Sequence, residues 1–140
     1  MNLTELHPEY LSALAQQFGF LGAFLGGVSA TIFVTLLTLA KPSSIVRWAI
    51  GLAALGAVSF IITAYMSVGV IANSHPNAPP EMAGGSLVAV QVIMSLSFMI
   101  GSLALLAAIG VSGWSRSKPL GIITSVVAAL GAVPLILDFA

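Results

Sequence analysis

Cysteine is missing from all 140 residues, and only eight residues carry a formal charge, four basic and four acidic. The first absence excludes disulfides, thiolate metal sites and thiol catalysis. The second excludes an ordinary soluble domain, which carries about a quarter charged residues to solvate its surface. Net charge is zero and no basic run occurs, so the electrostatic footprint of a nucleic-acid binder is missing too. No Asp, Glu, Lys, Arg or His falls in the middle of a long apolar stretch, whereas proton relays and ion-coupled carriers keep such a residue at membrane depth. Catalysis lacks a base there, and no nucleophile elbow, phosphate loop or paired helical histidines appear. The expectation is a non-enzyme without a cofactor.

What is present is apolar: 59% of residues are hydrophobic and the mean hydropathy is +1.11. A helix crosses a bilayer with about 20 mostly apolar residues. Four stretches qualify, at 18–40, 46–72, 86–111 and 119–137. They are continuous rather than alternating, which favours helices over a barrel. The expected fold is therefore an all-α integral membrane protein. It forms one four-span domain over 1–140, with a helical, amphipathic N-terminal extension at 4–17 and an irregular outer loop at 73–85. The first stretch lacks a basic leader and is long enough to span, so it does not read as a cleavable signal.

Charge placement sets the expected threading. Lys41 and Arg47 lie between the first two spans, and Arg116 and Lys118 between the last two. Basic residues in short loops stay cytoplasmic, so both termini are expected on the non-cytoplasmic side of the cell membrane. Glu5, Glu9, Glu81 and Asp138 fall on the opposite side. Trp48 and Trp114 sit beside the basic loops, where indoles anchor at the membrane interface. Spans one and two, and spans three and four, are expected to pair as antiparallel hairpins, with Pro42 and Pro119 suited to the first turns of new helices. Leu11, Leu14, Ala15 and Phe18 recur at helical spacing before span one. A helix unbroken through Pro8 to Ala40 is too long for the hydrocarbon alone, so it either projects or bends near Gly19–Gly22.

Small residues recur four apart on every span: Gly22, Gly26 and Ala30; Ala49, Ala53 and Ala57; Ser97 and Gly101, then Ala104 and Ala108; Gly121, Ser125 and Ala129. Lipid gives apolar side chains no reason to leave it, so such strips mark where backbones approach. Hydroxyl and amide groups are striped as well: Thr31, Thr35 and Thr38; Ser59, Thr63 and Ser67; Gln91, Ser95 and Ser102. They read either as internal hydrogen-bonded glue or as the wall of a polar path. His7 and His75, each followed by proline near outer carboxylates, are weak candidates for a divalent-cation or pH-responsive site. The hexapeptide AALGAV at Ala53–Val58 and Ala128–Val133 is within chance for so small an alphabet.

With almost no mass expected beyond the bilayer, such a chain acts through its helices. Its expected partners are lipid and either further copies of itself, with a passive pore as one outcome, or the other subunits of a larger membrane complex. Nucleic acid is not among them.

Overall fold

A computed structural model describes residues 8–39, 43–75 and 87–139. They form four helices: α1 (Pro8–Leu39), α2 (Ser44–Ser74), α3 (Leu87–Gly113) and α4 (Lys118–Phe139). All four are long and apolar enough to cross a membrane, in line with the four expected spans.

The helix ends follow local chemistry. Ser43 is extended, at φ −146° and ψ 163°, and its hydroxyl accepts from the Val46 N–H at 3.2 Å. That bond satisfies one of the four orphan donors at a helix start. The cap is thus a serine, and α2 begins two residues before the expected span. Pro42 and Lys41 lie outside the described residues. Ser117 plays the same part for α4, accepting from Leu120 N–H through its hydroxyl and from Gly121 N–H through its carbonyl. At its far end α2 runs on through Asn73 and Ser74, which were expected to begin the outer loop. Their side chains donate back to the Gly69 and Val70 carbonyls, each about one turn behind.

α1 departs most from expectation. It is one unbroken helix from Pro8 to Leu39, so residues 8–17 continue the span and are not a separate interfacial helix. The reason is tertiary: Ala15 is fully buried in a cluster with Val70 and Met94, against which Phe18, Met66, Ile71 and Val90 also pack. Residues 4–7 of the expected extension lie outside the described residues.

Helices adjacent in sequence are adjacent in space. Gly19 meets Ser67, Gly26 meets Phe60 and Ser29 meets Ala53; Gly69 meets Val90 and Phe60 meets Gly101; Gly110 meets Ala128 and Gly113 meets Leu120. Numbers fall along one helix as they rise along the next, so neighbours run antiparallel. The row α1–α2–α3–α4 does not close. α1 and α3 meet only marginally, through the Phe18 and Phe98 rings at 5.0 Å and 88° and the cluster that joins Ala15 to Met94, and α3 is the one substantial neighbour of α4 among the described residues.

Candidate functional site

The most constrained place is the middle of α2. The Phe60 side chain is fully buried and its ring lies edge-on to Phe98, with centroids 5.9 Å apart. Glycines flank it on both sides. A Cβ on Gly22 would lie 3.1 Å from the Phe60 carbonyl oxygen, and one on Gly26 3.2 Å from the Phe60 Cβ. From α3, a Cβ on Gly101 would stand 3.1 Å from two ring carbons. The ring thus occupies the space left by the missing side chain at Gly101, while Gly22 and Gly26 lie against the Phe60 carbonyl oxygen and Cβ, so both neighbouring backbones come close to α2.

One turn further along, Ser29 supplies a polar link that the sequence patterns did not single out. Its fully buried hydroxyl donates to the Ala53 carbonyl at 2.8 Å, across from α1 to α2. Gly56 makes room for it: a Cβ there would lie 2.7 Å from Ser29 Oγ. Ser59, Thr63 and Ser67 are also buried, and Thr63 and Ser67 stand against Gly22 and Gly19. The Thr63 and Ser67 hydroxyls bond carbonyls of their own helix, at 3.0 and 2.7 Å.

The threonine stripe of α1 faces elsewhere. Thr31, Thr35 and Thr38 are exposed, and their hydroxyls donate to Gly27, Thr31 and Val34 carbonyls at 2.8, 2.7 and 2.9 Å. Gln91 and Ser95 are half-buried near the start of α3. The residues expected to share a polar path are therefore not brought together within one chain: Thr63 and Ser67 face α1 from α2, and the α1 threonines face outward.

Along the small-residue strips, Gly22, Gly26, Ala49, Ala53, Gly101, Ala104, Ala108 and Gly121 are buried, Ala57, Ser97 and Ser125 are half-buried, and Ala30 and Ala129 are exposed. Two members of the expected packing surface thus lie outside it in the single chain. Helical geometry gives the reason. Steps of four residues advance about 40° beyond a full turn, so a second such step drifts off the contact line, and a step of three returns to it. The buried positions are accordingly Ser29, Gly56 and Ala128.

Trp114 does more than mark an interface. Its indole N–H donates to Ser125 Oγ at 3.0 Å, and its ring lies over Gly121, where a Cβ would come within 2.5 Å of it. Thr124 adds a second bond from α4, to the Gly110 carbonyl at 3.0 Å. We expect Ser125→Ala to lower stability by about 0.5–1.5 kcal/mol. Trp114→Phe should cost a similar amount and the double variant little more, read as the unfolding midpoint in mild detergent. Trp48 is 71% exposed near the start of α2, and Arg47, Arg116 and Lys118 are exposed at the same end of the row. His75 closes α2 and, with Glu9, Ser12, Gln16 and Ser74, lines a cleft of about 390 Å³. Among the described residues no three His, Cys, Asp or Glu side chains gather to hold a metal ion; His7 lies outside them.

No protein-family model, curated protein or solved structure matches the chain. Its class rests on its own physics: an all-helical chain with the four long apolar helices of a multi-pass membrane protein.

Proposed function

We propose that the chain is a non-enzymatic membrane component that assembles with copies of itself through the open face of α1, with Thr31, Thr35 and Thr38 lining a passive path. The observation that carries this reading is Gly27. Its neighbour Gly26 is filled by α2, but a Cβ on Gly27 would meet nothing within 4 Å. A shallow groove follows there, bounded by Ala23, Phe24, Val28, Thr31 and Ile32. Gly costs a helix interior about 1 kcal/mol relative to Ala, and a glycine that admits no neighbour in its own chain fits one covered by another helix. The threonine donors already serve their own helix, so their outward oxygens retain acceptor capacity, which suits water or a cation. Orientation belongs to the same proposal: two antiparallel hairpins, with basic residues cytoplasmic and both termini outside.

A second reading, as an accessory subunit on the flank of a larger complex, draws support from the open row. α4 leaves Ile122, Ile123, Val126, Val127 and Leu130 exposed.

The test is native mass after gentle extraction from the natural membrane. A closed multiple of 14.3 kDa supports self-assembly, and Gly27→Leu should then shift the protein to monomer with its fold intact. Co-extraction of unrelated chains favours the accessory role. A wild-type monomer, or an unchanged oligomer in Gly27→Leu, would sink the α1 assembly. Gly26→Leu is no substitute, because leucine there collides with Phe60 inside the protomer.

A further inference from the structure

We infer that the bilayer seats off-centre on this chain. Hydrocarbon covers the stretch from the Trp48 and Trp114 level to the Tyr65 level, and the far ends of α1, α2 and α3 stand beyond it as a three-helix head. This rests on the membrane reading above but on neither sidedness nor self-assembly.

Length comes first. α1 has 32 residues and α2 has 31, so α1 is about 48 Å long against about 30 Å of hydrocarbon. Even at about 40° of tilt, α1 would extend about 37 Å along the membrane normal. The surplus has a definite end. Arg47, Trp48, Trp114, Arg116 and Lys118 gather where α1 stops and α4 starts, which fixes one edge of the slab. Seventeen residues along α2 from Trp48 stands Tyr65, and these two rings are 71% and 74% exposed. That separation is about 26 Å, close to the spacing of the two interfacial aromatic belts.

Packing changes character at the same level. Between the aromatic rings the contacts of α1 with α2 run through Gly22, Gly26, Ser29, Ala53 and Gly56, as helices associate where lipid offers no hydrophobic drive. Beyond Tyr65, past the Gly19–Ser67 contact, large apolar side chains take over, with Val70 and Met94 closing over Ala15 and flanked by Phe18, Met66 and Val90. Such a core is what segments surrounded by water need. Outside it, the polar exposed residues are Glu9, Gln16 and Gln17 on α1 and His75 at the end of α2, whereas the outer faces of α2 and α3 there carry Val68, Val88, Val92 and Ile93. α4 takes no part. It has 22 residues, about 33 Å, enough for the slab alone. Gly131 lies against Leu106, so α4 ends near the level of Phe98, before the head begins. The cleft between Glu9 and His75 is then a water-side feature.

The absence of cysteine makes the test clean. Single cysteines at Ala13, Gln17 and Ala72 probe the head, and at Phe24, Ile61 and Ile123 the belt; all six positions are exposed. A membrane-impermeant maleimide is applied to intact cells and to opened membranes. In opened membranes the head positions should react at least about ten-fold faster than the belt, because the reacting thiolate forms in water and not in hydrocarbon. Labelling of the head in intact cells also supports the outward orientation. Labelling only after opening keeps the head and overturns that orientation. If all three head positions stay unreactive in opened membranes yet react after denaturation, the head is not in water and the inference falls. Equal reaction at head and belt would overturn it together with the membrane reading.

Discussion

Gly101→Leu should cost at least about 3 kcal/mol and leave little folded protein in mild detergent, while Gly101→Ala should cost about 1 kcal/mol. A Cβ at 101 would sit 3.1 to 3.2 Å from three carbons of the Phe60 ring. That ring has no easy retreat, since Gly22 and Gly26 press their backbones against the same residue from α1 and Phe98 closes another side. Overpacking of such a site costs about 1–3 kcal/mol. Against this stands the better helix propensity of alanine, about 1 kcal/mol, which leaves the alanine variant only modestly destabilised. Leucine adds three more carbons with nowhere to go. The cause can be separated from a general glycine effect by pairing each change with Phe60→Leu. The pair Gly101→Ala/Phe60→Leu should be more stable than the sum of its singles by about 1–2 kcal/mol, since residues in contact couple on that scale. Strict additivity would mean that the ring does not sense position 101.

The number of long apolar helices was legible because hydropathy over about 20 residues is a property of each segment alone. Helix ends were less so. Ser43 caps α2, whose first turn starts at Ser44 and so after Pro42, and α1 absorbs residues 8–17 because a partner cluster on α2 and α3 covers Ala15. The strips of small residues pointed to glycines that lie between helices, but counting in fours carried them round to Ala30 and Ala129. A three-residue step after the second member would have found Ser29, Gly56 and Ala128. Phe60 was not legible at all: nothing in a local window says that glycines on two other helices close on this one residue. Trp114 was read from its basic neighbours. Its hydrogen bond to Ser125 depends on how sharply the chain turns between α3 and α4.

A β-branched residue at position 113 should detach α4 while leaving the other three helices in place. Two features of the row combine to make this effect large. A Cβ on Gly113 would stand 2.9 Å from the Leu120 carbonyl oxygen and collide with the Thr124 side chain. A side chain can rotate away, but the carbonyl belongs to α4 and moves only if the helix does. Among the described residues α4 has no second substantial neighbour to hold it, because α3 alone packs on it closely. Displacement would also lengthen the Thr124–Gly110 and Trp114–Ser125 bonds, both within the same contact. Gly113→Val should therefore lose the whole α3–α4 contact and not only one bond. A disulfide between cysteines placed at Gly110 and Ala128, on opposing helices, reports this contact directly. It should form readily in the otherwise wild-type chain and several-fold less in Gly113→Val. A second pair at Gly19 and Ser67, which face each other across α1 and α2, should form equally in both. Loss of both crosslinks would mean that α4 supports the rest of the row, and an undiminished α3–α4 crosslink would mean that the turn at 114–117 absorbs the clash.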